Sequence, residues 1–547
     1  MKQERYLYLI LAISLILLLV NLNSYGVLEA SEARYAEISR EMFRSGNLLK
    51  PTLLNIFHFH KPPVTFWLTA MGFQLLGVNA FGARFWLQLS LFLQGILIYR
   101  ISQRLFYQKN RSVLAVVIYL SFPLSIVSAR NLTTDNFLTI SVLAVIYGMT
   151  VYYFQGQIWG IYVAALFMGV GFLTKAPAIL IVPFFYWCYL MFARRVKYRV
   201  PIKHLSISLV LCVTLGLSWF AIVTQQIPSL TNYFLGRQLV DRVLEAETFE
   251  RTKPGWFYPL VFSTTTLPWF LVYVASIFRS GYRLFKNNDA VQLSLFLLFM
   301  PFVVYSFTSS KLMMYLLPIY PGLAMILASL LSQMNQSNLQ WITRVFIGFY
   351  WLIGVIALVV PFFVSVSGTD LIITWQMMVS ALLIFAVPVL TYRLIKHNSK
   401  LRLGAITLFS MLMFTIYCGY LIGANELAFG GTRPLAKFIQ SQGLEDEPIL
   451  VYNRLLPSLA FNLDRHIITL NDGGVKRETQ FQTNDDWKQY WLNLDEPTSI
   501  EYLRNLVQSP SVLVVQKKLP DRWHWLEQNY SQDRALGKWT IYYSPLT

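Results

Sequence analysis

Four short polar stretches, set between long apolar runs, hold most of the residues in this 547-residue chain that could do chemistry. The first is SEARYAEISREM, residues 31–42, with Glu32, Arg34, Glu37, Arg40 and Glu41. The second is FHFHKPP, residues 57–63, where two prolines stop regular helix and set Lys61 at a fixed bend. The third, SARNLTTDNFLT, carries Asp135, and the fourth, SSKLMMYLLPIYP, carries Lys311, Tyr315 and Tyr320. Lysine and arginine are the usual partners of phosphate, and arginine grips it with two parallel bonds. Residues 25–62, which include Lys61, and residues 227–256, with Arg237, Arg242, Arg251 and Lys253, are therefore candidates to hold an anionic ligand. Contact with lipid headgroups is the plainer account of the same charges. Asp135 stands at the start of an apolar run, where a carboxylate is costly and calls for a partner or a function. N-capping is its alternative, and Thr133 or Thr134 would serve equally well. His58 and His60 are two apart and could chelate a divalent metal, although two histidines need a third ligand. Tyr315 and Lys311 fit either an interfacial aromatic belt with headgroup contact or a ligand site.

The first stretch reads as a helix. Ser31 is its expected N-cap, and Tyr35, Ile38 and Met42 form an apolar stripe. Such a helix is expected to lie along a membrane surface with its charges solvated and Arg34 paired to Glu37. Glu32 differs from the rest, because the helix dipole at the N-terminus keeps a carboxylate ionised.

These stretches must be positioned by membrane helices. The chain is 55% hydrophobic and 13% charged, against roughly 25% charged in soluble domains. The expected fold is a multi-spanning α-helical membrane protein with about thirteen transmembrane helices and a soluble C-terminal α/β domain. Spans are expected from 6–24 to 403–423, among them 112–129, 257–278 and 313–332. Residues 63–78 are read as an interfacial or re-entrant helix. With residue 1 inside, the Lys/Arg clusters near 2–5, 100–111, 194–203, 279–286 and 393–402 all fall inside. Counting 63–78 as a span would put them outside. The loops 25–62 and 227–256 and the tail from 425 then face outward. The N-terminus resembles a secretory signal, but its long apolar run and lack of a small-residue cleavage site mark it as an uncleaved first span. Cys188, Cys212 and Cys418 lie in apolar runs and read as buried residues. The basic residues form no contiguous soluble patch, which excludes nucleic acid as a partner.

Residues 1–424 are thus expected to be the transmembrane domain and 425–547 an outer α/β domain. Strands are predicted at 449–453, 467–470, 511–516 and 539–543, with helical patterns between them. No glycine-rich phosphate loop or nucleophile elbow occurs there. Its expected role is to cover the membrane site or to contact an acceptor.

SEARYAEISREM followed by KPP resembles the start of the bacterial aminoarabinose transferases that modify lipid A. It is also similar to related proteins described as dolichyl-phosphate-mannose–protein mannosyltransferases. The likeness continues in order through RNLTTDNFLT, FLTKAP (172–177), TLPWF (266–270) and SSKLMMYLLPIYP, and more weakly through RPLAKF and LPSLAF. The resemblance implies the GT-C fold and a sugar donor carried on a polyprenyl phosphate, with reaction on the outer face of the bacterial inner membrane. It implies that Lys61, with Arg251 and then Arg242, contacts the donor phosphate, and that Glu32 and Asp135 are the catalytic carboxylates. Arg34, Tyr35, His60, Lys311 and Tyr315 are the accompanying substrate-site residues. The chain departs from that family where Ser31 replaces an aspartate, where His60 replaces an acidic residue, and where a histidine is missing from 240–255. These departures fall around the sugar and a described metal site.

The implied chemistry is an inverting single displacement. An acceptor hydroxyl attacks the anomeric carbon, a carboxylate takes its proton, and cations hold the departing phosphate. No nucleotide site and no obligatory cofactor are expected, with a divalent metal on His58 and His60 left open. The expected partners are a polyprenyl-phosphate-linked sugar, a lipid or envelope-glycan acceptor and membrane lipids, bound by a monomer. The alternatives are a protein O-mannosyltransferase and, from another class, a lipid or solute transporter or flippase. Against the transporter stand the outer loop helix, the outer C-terminal domain and the absence of hydropathy symmetry between the halves.

Overall fold

The computed structural model describes residues 2–192, 198–240, 253–280, 289–308, 310–366, 369–516 and 518–545. The apolar run at the N-terminus forms α1, Lys2–Leu19. A connector leads to α2, Ser31–Ser45, which stops where Gly46 takes φ +70°. The hairpin β1 (Thr52–Leu53) and β2 (Ile56–Phe57) then brings the chain to the two prolines and α3, Val64–Leu76. Thirteen residues rise about 20 Å, short of a bilayer core of about 30 Å. Helix α4, Ala80–Phe106, starts where the Asn79 side chain accepts from Gly82 N at 2.9 Å. A Cβ on Gly72 would lie 2.4 Å from the Gly82 carbonyl, so glycine is what lets α3 press against α4.

Helices α5 (Lys109–Ser121) and α6 (Pro123–Arg130) meet at a 61° bend, because Pro123 cannot continue the ladder. The expected span 112–129 is therefore broken. The expected span 257–278 is broken more sharply: Phe257–Thr265 and Trp269–Ser276 are bent by 111° around Pro268. The span expected at 313–332 begins as a 3-10 turn, Met313–Ile319, before the α-helix Tyr320–Gln333. Helices α7 (Thr134–Gln155) and α8 (Trp159–Lys175) pack closely through Gly148 and Gly160. They are followed by α9, Ile181–Phe192, and α10, Ile202–Gln226.

Among the described residues, seven helices are long and apolar enough to cross a membrane, or nine if each bent pair is one span. Several display apolar side chains outward, such as Leu209, Val210 and Val213 on α10 and Leu382 and Leu383 on Trp375–Leu394. A soluble protein does not expose continuous apolar surface of this kind.

The C-terminal region folds into a six-stranded sheet. Its strands are β3 (Ile449–Tyr452), β4 (Ile468–Asn471), β5 (Trp491–Asn493), β6 (Val512–Val515), β7 (Gln532–Leu536) and β8 (Trp539–Tyr543). Their order is β5-β4-β3-β6-β8-β7, the first four parallel and β8 antiparallel to both neighbours. Strand side chains alternate between two faces. Leu450, Leu470, Leu513 and Val515 pack beneath the helix Pro497–Leu506. Ile449, Val451, Val512 and Val514 face the other way and share a core with Ile38, Met42, Leu53, Leu54 and Phe66. The sheet is thus fastened onto α2 and the hairpin after it.

That fastening changes the reading of α2. Glu32, Glu37, Arg40 and Glu41 are all buried rather than solvated. The N-cap is Ala30 and not Ser31, and no side chain caps the helix start. Glu37 pairs with Arg40, at 2.6 Å, rather than with Arg34. Arg40 continues to Asp464 (3.2 Å) and the Arg465 carbonyl (3.2 Å), so the helix charges hold the sheet region. Burial pushes the Glu37 carboxyl up to about 8 against the pull of Arg40.

Candidate active site

A cavity of about 210 Å³ opens where α2, the stretch before Pro62, the ends of α7 and α8, and residues 312–315 converge. Each element contributes a polar group for a local reason. Arg34 and Tyr35 lie on the turn of α2 that faces the bundle. Lys61 and His60 stand at the bend before the prolines. Asp135 lies in the first turn of α7, and Lys175 closes the last turn of α8. The Lys175 ammonium donates to Asp135 Oδ1 at 2.5 Å and lies 3.9 Å over the Tyr315 ring. Both members of this pair are buried, and the Thr139 hydroxyl donates to the Asp135 carbonyl at 2.8 Å within the same helix.

The structure therefore brings Arg34, Tyr35, His58, His60, Lys61, Asp135 and Tyr315 to one cavity. Glu32 is not among its walls. Arg84, fully buried in α4, donates Nε and Nη2 to the two Glu32 oxygens at 2.8 Å each. The backbone N–H groups of Leu28 (3.0 Å) and Leu132 (3.3 Å) complete its shell. The remaining Arg84 donors go to the carbonyls of Leu22, Tyr25 and Gly26. Glu32 ties the connector after α1 to α4 and to the approach of α7; it does not present a base to the cavity. Lys311 is buried beside the cavity, its ammonium 3.4 Å from the Lys253 carbonyl. Arg242 and Arg251 lie outside the described residues.

His58 and His60 stack with ring centroids 4.0 Å apart. Burial first, then the charges of His60, Arg477, Arg34 and Lys61, hold His58 well below the usual histidine range, so it is neutral. These two rings are the residues that could contribute to a metal. Among the described residues no third His, Cys, Asp or Glu joins them in a ligand cluster.

Sequence reasoning missed two contributions. One is Lys175, whose position in FLTKAP was legible but whose pairing with Asp135 is not a sequence property. The other comes from the C-terminal region, where the stretch after β4 reaches the site. Glu478 lies 2.9 Å from His60 Nε2, Arg477 donates to the Leu53 carbonyl, and Phe481 packs edge-on against Phe59 and Tyr233.

A second, apolar groove of about 350 Å³ shares His60 and Lys61 with the polar cavity. Its walls continue through Phe172, Leu217, Phe220 and Phe234. Lys61 thus stands where a greasy channel meets a cationic chamber.

Residues 60–219 match the family model described as dolichyl-phosphate-mannose-protein mannosyltransferase. Over its whole length the chain superposes on the crystal structure of ArnT from Cupriavidus metallidurans in the apo state, with TM-score 0.78, 18% identity and 99% of that chain covered. The form of that protein bound to undecaprenyl phosphate gives a TM-score of 0.75 at 18% identity, covering 99% of this chain and 98% of that one. The fold is that of a GT-C membrane glycosyltransferase. In sequence the chain is similar to bacterial arabinosyl transferases. It is 27% identical over 372 residues, 65% of its length, to undecaprenyl phosphate-alpha-4-amino-4-deoxy-L-arabinose arabinosyl transferase 2 of Pseudomonas fluorescens (strain Pf0-1). It is 29% identical over 348 residues, 62% of its length, to arabinosyl transferase 1 of the same description from Proteus mirabilis (strain HI4320). The match spans 66% and 62% of those two relatives.

Proposed function

We propose that this protein moves a sugar from a polyprenyl-phosphate donor to a lipid A-like or other cell-envelope acceptor at the outer face of a bacterial inner membrane. The observation that carries this reading is the joint at Lys61. The apolar groove suits a prenyl chain, Lys61 sits where the two meet, and the cationic chamber beyond it is lined by one carboxylate among the described residues, Asp135. The likeness to arabinosyl transferases described as acting with undecaprenyl phosphate supports the donor class.

The step is a single inverting displacement. The acceptor oxygen forms a bond to the anomeric carbon as the bond from that carbon to the phosphate oxygen breaks. The acceptor proton passes to Asp135, and the electron pair leaves with the phosphate. Asp135 takes the base role because both Glu32 oxygens are held by Arg84. Lys175 fixes the Asp135 carboxylate in place. Lys61 stabilises the leaving phosphate, helped by Arg251 and Arg242 on the strength of their match to the family's arginines. Arg34, Tyr35, His60 and Tyr315 frame the sugar, with Lys311 behind them. Two lipids confined to one membrane face supply the proximity. The topology that goes with this reading has thirteen spans, residues 25–62 and 227–256 outside, and residues 425–547 as an outer domain on a monomeric protein.

The test is transfer in vesicles containing the purified protein, undecaprenyl-phosphate-aminoarabinose and lipid A, read by mass spectrometry of the lipids. Modified lipid A supports the proposal. Transfer from a polyprenyl-phosphate-mannose to a peptide instead would establish the mannosyltransferase reading, which the match over residues 60–219 favours. Donor translocation without transfer would make the protein a flippase.

A further inference from the structure

The end of the bundle opposite the candidate active site holds a larger cavity, of about 900 Å³. It lies between the start of α1, the start of α5 and the turn joining Trp375–Leu394 to the helix Ser399–Ala424. Its distance from the sugar site follows from α4. Arg84 marks the end that holds Glu32, and Phe106, 22 residues on, lies about 33 Å along the axis at 1.5 Å per residue.

One wall of the cavity is apolar, formed by Leu9, Ile10, Ile13 and Phe409 along their helices. The mouth is basic. Arg111, Lys396, His397 and Lys400 all line it, and among the described residues no carboxylate does. Glu4, at the start of α1, is already matched by Lys109 at 2.9 Å. Lys400 donates to the Ser332 carbonyl at 2.5 Å, which ties it to the rim. Arg111 is held over the Phe106 ring at 5.3 Å, yet its Nε is buried with no hydrogen-bond partner among the described residues. A buried charged donor left unmatched is costly. The N-terminal turn of α5, which begins without a side-chain cap, adds backbone N–H groups to the same mouth.

Basic residues at an inner membrane surface are expected from topology alone. Topology does not gather them at the mouth of an apolar cavity, nor leave one of their donors buried and unmatched. We propose that this cavity binds a diacyl phospholipid with an anionic headgroup, its phosphate held by Arg111, Lys396 and Lys400 and its chains laid along α1 and Phe409. A zwitterionic lipid carries the same phosphate but brings an ammonium into a mouth that has no acidic partner for it, so anionic headgroups are preferred.

The experiment uses the full-length protein in nanodiscs of phosphatidylcholine doped with phosphatidylglycerol, and native mass spectrometry reads the lipid retained after release. The wild type should retain one phosphatidylglycerol, and Arg111→Gln/Lys396→Gln/Lys400→Gln should bind it roughly 150-fold more weakly, from a loss of about fivefold per cation. Equal retention by wild type and triple variant overturns the proposal. So does equal retention of phosphatidylcholine, or protection by inorganic phosphate alone. If the triple variant fails to fold, Lys396→Gln alone, at an exposed position, carries the comparison, and a loss of less than twofold overturns the proposal as well. Because lipid retention is read without sugar transfer, the outcome is independent of the donor and acceptor assigned above.

Discussion

The Lys175 ammonium sits 2.5 Å from the Asp135 carboxylate, joining the end of α8 to the start of α7 across the candidate active site. Removing the carboxylate tests the proposed base. Asp135→Asn should keep the shape of the pair and lower sugar transfer by about 10²–10⁴-fold, the usual range for loss of a general base. Donor binding, followed by retention of labelled polyprenyl phosphate, should remain. Transfer within threefold of wild type would exclude Asp135 as the base.

Lys61 is expected to act on the phosphate rather than on the sugar. Lys61→Ala should weaken donor binding and slow transfer by roughly 10–150-fold, as for one charge-assisted bond of about 1.5–3 kcal/mol. Lys61→Arg should restore part of both, because a guanidinium also grips phosphate. A variant with unaltered donor affinity and rate would place the phosphate elsewhere.

For Glu32 and Arg84 the expected loss is of folding and not of chemistry. Glu32→Gln leaves a fully buried guanidinium without its counter-charge and should cost about 3–5 kcal/mol. A lowered melting temperature in detergent, with transfer per folded molecule near wild type, is the outcome expected. Normal melting with abolished transfer would return Glu32 to a catalytic role.

Glu29 accepts from the Ser458 backbone N–H at 2.7 Å, and burial pushes its carboxyl from 4.5 up to about 7. The folded protein then holds a proton there that the unfolded chain has released. Its stabilising contribution is complete below about pH 4.5 and is lost as pH rises to about 7, roughly 3 kcal/mol in all. Glu29→Gln should flatten the fall in melting temperature across that window. An unchanged slope would show that Glu29 is not the titrating group.

Glu478 positions His60 from the far side of the sheet region. Glu478→Ala should slow transfer several-fold and change its pH profile, since the imidazole loses its acceptor. Glu478→Gln, which keeps the hydrogen bond, should recover most of the rate. Equal defects in both variants would leave Glu478 a purely structural contact.

Much of this architecture was legible along the chain. Apolar runs show where the long helices lie. The prolines at 62 and 63 locate the Lys61 bend, and the four central strands follow from their apolar, β-branched runs. What was not legible depends on contacts made at a distance. Arg84 sits five residues into α4, and a charge inside an apolar run always asks for a partner. Nothing along the sequence names Glu32 as that partner, 52 positions earlier. The charges of α2 read as solvated because a helix taken alone has no cover, whereas the sheet supplies one. The three-residue β5 is too short to show periodicity, and β7 opens on three polar residues, Gln532, Asp533 and Arg534.

Residues 477–481 reach back across more than four hundred positions to touch Leu53, Phe59 and His60. A chain that emerges from the ribosome in order makes its membrane helices first and this stretch almost last. A product cut short after Ala424 carries the bundle but leaves one flank of its reaction chamber open. Such a fragment should bind the prenyl chain yet fail to turn over. On the proposed function, the last fifth of the chain would thus withhold chemistry until synthesis is complete.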